Sequence, residues 1–72
     1  MLQKNVDELI HIAAAGGGFR IESGTHAAED LVRIAAAAAG TGARVVIHGV
    51  SVRPSEDLVR IAKAGRGAVA FE

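Results

Sequence analysis

One heptapeptide occurs twice in this chain of 72 residues. Residues 29–35 read EDLVRIA, residues 56–62 repeat them without change, and residues 7–13 form a looser copy upstream. Each copy is followed by glycines and then by a short run of β-branched or aromatic residues. Recurrence of one pattern along a chain is typical of repeat proteins, in which every unit has the same secondary structure. The sequence therefore predicts three helix-turn-strand units.

Helix start and stop signals give the bounds of the three helices. The first is predicted to begin after Asn5, which caps it together with Glu8 in a capping box, and to end at Gly16 in the left-handed conformation. Proline is tolerated at the first position of a helix, and glycine commonly follows the last. The remaining predicted bounds are Thr25 to Gly40 for the second helix and Pro54 or Ser55 to Gly65 for the third.

The apolar residues of each helix fall on one face, which we expect to point into the core. Three basic residues lie elsewhere on the helices, and each follows an acidic residue by four positions. Pairs at this spacing are usually solvated, so we interpret His11, Arg33 and Arg60 as surface residues. The predicted inward residues are Leu9, Ile12, Ala13, Leu31, Ile34, Ala35, Ala38, Leu58, Ile61 and Ala62.

Alternation of side chains along the strands predicts which residues meet this helical face. Since each strand is followed by a helix and another strand, a parallel sheet in sequential order, with right-handed crossovers and all helices on one face, is the simplest arrangement. We therefore predict an α/β fold, a short solenoid forming one domain over residues 1–72, with units at about 5–24, 25–52 and 53–72. The inward strand residues are Phe19, Ile21, Val45, Ile47, Val69 and Phe71.

The second unit resembles the strand-plus-helix unit of leucine-rich repeats in its spacing. Val45, Ile47 and Val52 stand at three apolar positions of that pattern, and Val50 stands where the pattern has asparagine. The resemblance implies the general arrangement of strand and helix. It assigns no binding residue, because the binding surface varies within that class.

Composition excludes several classes of function. The formal net charge is zero and no aromatic residue is interleaved with Lys or Arg, so we expect no nucleic-acid partner. The start of the chain lacks the apolar core of a signal peptide, and the alanine run at 35–39 is far shorter than a membrane span, so we expect no membrane association. The absence of cysteine excludes disulfides and fits the cytoplasm. The glycines at 16–18, 40–42 and 65–67 follow predicted helices instead of preceding them, unlike those of phosphate-binding loops.

The sheet face turned away from the helices is the first candidate functional surface. Parallel sheets are usually covered on both faces, and terminal repeats usually carry polar caps, yet the last strand has no segment after it to cover its edge. We expect a second copy of the chain, or another protein, to cover the edge and this face. The predicted function is thus non-enzymatic interaction or self-assembly as a homodimer, with interface residues Arg20, Val46, Ala68, Ala70 and Glu72.

The carboxyl ends of the strands are the second candidate. The predicted register sets His48 between Glu22 and Glu72 on strands about 4.8 Å apart, and His26 lies in a nearby loop. Neighbouring carboxylates favour a protonated imidazole, so a small-ligand, metal-sensing or pH-sensing site is the alternative function. An enzyme is the third alternative, but no catalytic motif is present. The sequence assigns no catalytic residue, no metal ligand and no cofactor.

Overall fold

A computed structural model describes residues 5–72 of the chain, apart from the side chain of Val52. Short 3₁₀ turns at Ser23–Thr25 and Val50–Val52 follow the first two strands. The predicted position of Val52 in the leucine-rich-repeat spacing, and residues 1–4, lie outside the described part. The helices and strands, in chain order, are α1 at Val6–Ala14, β1 at Phe19–Glu22, α2 at Ala28–Ala38, β2 at Val45–His48, α3 at Ser55–Gly65 and β3 at Val69–Phe71.

The predicted capping box at the start of α1 is confirmed. The backbone N–H of Glu8 donates to Asn5 Oδ1 at 2.9 Å, and the Asn5 N–H donates to Glu8 Oε1 at 3.3 Å. Gly16 follows the helix with a φ of +93°, the left-handed conformation expected of it. These local signals therefore fix both ends of α1.

The predicted end of α3 at Gly65 is confirmed, although the left-handed residue there is not the glycine. Gly65 is the last helical residue, and Arg66 takes the left-handed conformation with a φ of 50°. Gly65 is needed for a different reason, because a Cβ at this position would lie 2.6 Å from Val69 Cγ2. The glycine allows β3 to approach the helix closely, and the arginine carries the backbone strain instead.

The start of α2 is later than predicted. A 3₁₀ turn intervenes after β1, so the helix begins at Ala28, and its N-cap residue Ala27 makes no side-chain capping bond. The helix ends at Ala38, two residues before the predicted Gly40. By contrast, α3 begins at Ser55, one of its two predicted starts, and Pro54 is its N-cap.

The three strands form a parallel sheet in the order β1-β2-β3, as predicted from sequence. The apolar residues of the three strands are in register across the sheet. Phe19, Val45 and Val69 lie at one level, and Ile21, Ile47 and Phe71 lie two residues further along.

The core lies between one face of the sheet and the helices. Ile21 is buried while its neighbours Arg20 and Glu22 are exposed, so the predicted alternation is confirmed. All three helices contribute to the same apolar cluster as the strands, which places them on one face of the sheet. The completely or almost completely buried apolar residues are Leu9, Ala13, Ile21, Leu31, Ile34, Ala35, Ala38, Ala43, Val45, Ile47 and Ile61. Predicted core residues Ile12 and Leu58 are only half-buried, and Ala62 is exposed.

The helix surfaces carry ion pairs different from those that the four-residue spacing suggests. His11, Arg33 and Arg60 are exposed, as predicted. Arg33 lies 3.6 Å from Asp7 of α1 and 3.7 Å from Asp30, so its partners are a neighbouring helix and the residue three positions back. Within residues 5–72, no helix has the length and apolar character needed to cross a membrane.

Candidate functional site

The carboxyl ends of the strands bring together the residues that the sequence selected. Glu22 and His48 are partners in the register of β1 and β2. Glu72 follows β3, and its backbone continues the pairing: its N–H donates to the Ile47 carbonyl at 2.9 Å, and its carbonyl accepts from the Gly49 N–H at 3.2 Å. These bonds hold Glu72 beside His48 at the end of the sheet.

The side chains that make contact there are Arg20, His48 and Glu72, called here the outer-face cluster. Arg20 Nη2 lies 2.9 Å from His48 Nδ1 and 3.2 Å from Glu72 Oε1. Since a guanidinium can only donate, His48 accepts at Nδ1 and carries its ring hydrogen on Nε2. His48 Nδ1 and Glu72 Oε1 are 3.7 Å apart, which is too long for a hydrogen bond. Arg20 is therefore the centre of the cluster.

The other two predicted ligand-binding residues stand apart from this cluster. Among the described residues, the Glu22 carboxylate forms no ion pair with His48, while the Glu22 backbone carbonyl accepts from Thr25 Oγ1 at 3.0 Å. His26 is held through its backbone, because its carbonyl accepts a hydrogen bond from Arg53. The sequence named Arg20 as an interface residue and gave it no part in this site.

The outer-face cluster has the properties of a solvated surface network. The side chains of Arg20, His48 and Glu72 keep 56%, 44% and 50% of their surface exposed, so solvent screens their charges. Across residues 5–72, no three His, Asp or Glu side chains are placed to hold a metal ion together. The geometry thus offers hydrogen bonding to a polar surface.

Arg53, which no sequence pattern singles out, donates three side-chain hydrogen bonds at this end of the molecule. Its Nε donates to Ser23 Oγ, and its Nη2 donates to the backbone carbonyls of Ser23 and His26. Ser23 is a buried polar residue with no exposed surface. Arg53 thus ties the turn after β1 to the turn before α3, which is a structural role. An arginine next to a proline in a loop gives no sequence signal for such a role.

A shallow groove of about 290 Å³ lies at the other end of the sheet, between the turn after α2 and the turn after α3. Arg44 and Arg66 line it, as does Ala38 at the end of α2. Helix C-termini carry a partial negative charge, which cations stabilise. Arg66 is the C-cap residue of α3 and so stands at such an end.

The outer edge of β3 is the remaining candidate. The Ala68 carbonyl accepts from the Val45 N–H at 2.8 Å, and both backbone groups of Glu72 bond to the β2 side. Because alternate residues of a strand direct their backbone groups to opposite sides, those of Val69 and Phe71 point away from β2. Within residues 5–72, no strand lies on that side.

Of the predicted interface residues, Arg20 and Glu72 are exposed, whereas Val46 and Ala70 are half-buried register partners on the outer face. Ala68 packs against the core.

Comparisons with models of known protein families, with curated proteins and with solved structures each found no match to this chain.

Proposed function

We propose that this chain is a non-enzymatic self-assembly module, and that a second copy associates with the surface formed by Val59, Ala62, Val69 and Phe71. We call this surface the β3–α3 side. The observation that carries the proposal is the unequal burial of identical residues in the two copies of the heptapeptide.

The two heptapeptides occupy equivalent positions in α2 and α3. Val32 in α2 packs against the core, whereas its counterpart Val59 is 52% exposed. Ala35 in α2 is completely buried, whereas its counterpart Ala62 is exposed. The difference arises because α2 contacts helices on both sides, and α3 contacts α2 on one side. The exposed apolar stripe of α3 is therefore suited to receive another helix.

The neighbouring sheet edge supports the same proposal. The outward backbone groups of Val69 and Phe71 can pair with another strand, and their side chains are half-buried on the helix side of the sheet. A partner that supplies both a strand and a helix would satisfy both exposed features together. Another copy of this α/β chain supplies that combination.

We further propose that the units at about 5–24, 25–52 and 53–72 form a short αβ solenoid. The in-register strands and the recurrence of the heptapeptide in α2 and α3 support this proposal. Solenoid units are stabilised chiefly by their neighbours, so a terminal unit gains stability from any unit placed against it. Self-assembly would supply that unit to α3 and β3.

Measurement of the solution mass tests the proposal. The wild-type mass should rise above that of the monomer between low micromolar and submillimolar concentration in sedimentation equilibrium. Val59→Lys places a charge in the proposed interface at an exposed position, so it should keep the helical circular dichroism spectrum and weaken association at least tenfold.

Ala36→Lys is the matched control, because Ala36 is an exposed residue of α2 at the position equivalent to Lys63 of α3. This variant should associate like the wild type. A wild-type protein that remains monomeric over the whole range would overturn the proposal.

A further inference from the structure

We infer, resting on the proposed self-assembly, that two copies join by antiparallel pairing of β3 with β3 about a two-fold axis at Ala70. Such an interface is closed and produces a dimer. The alternative is a head-to-tail arrangement in which β3 of one copy pairs in parallel with β1 of the next, which would continue into rings or filaments.

The hydrogen-bonding pattern of β3 selects the position of the axis. In an antiparallel pair, two directly opposed residues whose backbone N–H and C=O groups point toward each other exchange both N–H···O bonds. An axis at Ala70 sets Val69 opposite Phe71 of the second copy and Phe71 opposite Val69, so every outward backbone group of the strand has a partner. An axis at Val69 would instead set Phe71 opposite Gly67, whose φ of +91° is not extended.

The side chains fit this register. Val69 and Phe71 of the two copies become cross-strand neighbours on the helix side, where both are already half-buried. On the outer face, the two Ala70 side chains meet at the axis, and each Glu72 lies opposite Ala68 of the second copy. Continuing the parallel register into a head-to-tail neighbour would instead place Glu72 directly beside Glu22 of that neighbour, and adjacent like charges are destabilising.

The charges of the helices favour the same choice. The first turn of α3 carries Glu56 and Asp57, and its last turn carries Lys63. Around the two-fold axis the α3 helices run antiparallel, so the acidic end of one faces the basic end of the other. A head-to-tail arrangement would repeat the parallel packing of α1 with α2, in which both first turns are acidic and Arg33 pairs with Asp7. Attraction between the opposite ends of two α3 helices is particular to the two-fold dimer.

Single cysteines test the geometry, since the chain contains no cysteine of its own. The Ala70 pair is a non-hydrogen-bonded pair, in which the Cα atoms are about 4.5 Å apart, within the range that a disulfide spans. Ala70→Cys should therefore convert in diamide mostly to a disulfide dimer, with no higher species. Ala36→Cys, on the exposed surface of α2, should give at least tenfold less dimer under the same conditions.

A mixture of Ala70→Cys with Arg20→Cys distinguishes the head-to-tail arrangement, in which positions 70 and 20 are opposed. A dominant mixed disulfide between the two variants would overturn the two-fold register while leaving self-assembly standing. A wild-type protein that is monomeric at all concentrations would overturn both proposals.

Nuclear Overhauser measurements on the unmodified chain give a second readout. A mixed sample of labelled and unlabelled chains should show an intermolecular contact between the Hα atoms of the two Ala70 residues, as expected for a non-hydrogen-bonded antiparallel pair. Intermolecular contacts from β3 to β1 would overturn the inference.

Discussion

The Arg53 side chain donates from Nε to the hydroxyl of Ser23 at 2.5 Å, and Ser23 is completely buried. The same guanidinium donates from Nη2 to the Ser23 carbonyl at 2.6 Å and lies 3.7 Å from Asp57 of α3. Only 15% of the Arg53 side chain is exposed. One side chain thus joins the turn after β1 to the first turn of α3.

Loss of this link should destabilise the fold. Arg53→Ala leaves the buried Ser23 hydroxyl and carbonyl without their donor, so we expect the free energy of unfolding to fall by about 2–4 kcal/mol. Urea denaturation followed by circular dichroism measures the change. Arg53→Lys keeps the charge but loses the planar set of donors, so its loss should be smaller. An unchanged urea midpoint for Arg53→Ala would contradict this role.

The two identical heptapeptides should respond unequally to the same truncation. Leu31 has no exposed surface, whereas Leu58 is half-buried. Leu31→Ala should therefore cost about 3 kcal/mol and Leu58→Ala about 1 kcal/mol of unfolding free energy. Urea unfolding in dilute solution, where association is weakest, compares the two variants directly.

A Leu31→Ala protein that is unfolded before urea is added also fits this expectation, since the domain is small. Equal losses at the two positions would mean that α2 and α3 have equivalent surroundings. That result would also remove the main support for an open β3–α3 side.

Arg66 should be replaceable by glycine with a gain in stability. It has a φ of 50°, and a left-handed conformation costs a residue other than glycine about 1 kcal/mol. Arg66 is exposed, so Arg66→Gly loses little packing, although the added freedom of the unfolded chain offsets part of the gain. We expect a net increase of about 0.5 kcal/mol and a higher thermal midpoint. Gly67→Ala, at a φ of +91°, should change the midpoint in the opposite direction.

The outer-face cluster should contribute little to stability and should not bind metal. Arg20→Gln removes its central donor, yet the three side chains are about half exposed, so the unfolding free energy should change by less than about 1 kcal/mol. Zinc added to a ¹⁵N-labelled sample should leave the His48 ring signals in place. A saturable zinc-dependent shift of the His48 ring would instead support the ligand-sensing alternative.

Much of the fold could be predicted from local signals. The Asn5–Glu8 capping box is contained within four consecutive residues, so its formation needs no distant partner. The register of Ile21 with Ile47 follows from period-two alternation, because a shift by one residue would turn every apolar side chain to the wrong face. The left-handed residue after α3 could not be predicted in this way, since Gly65 serves the approach of Val69 and leaves the left-handed position to Arg66.

The candidate site was predictable only in part. The alternation of side chains along the strands predicts that His48 and Glu72 lie at one end of the sheet. The contacts of the His48 ring and the Glu72 carboxylate depend on which long side chain reaches them. Arg20 reaches both, whereas the Glu22 carboxylate pairs with neither among the described residues. Arg53 shows the same limit, because its hydrogen-bond partners in the turn after β1 lie far away in sequence.

The sequence by itself determined which segments form helices and strands, their parallel order and the faces that they bury. These features follow from the periodicity of apolar residues and from the alternation of helix and strand along the chain. Only the tertiary structure decided that Leu31 is fully buried and Leu58 is not, although both stand in the same seven residues. The physical reason is that the burial of a side chain depends on the neighbours of its helix. Among the described residues, α2 packs against a helix on each side, whereas α3 packs against one helix, α2.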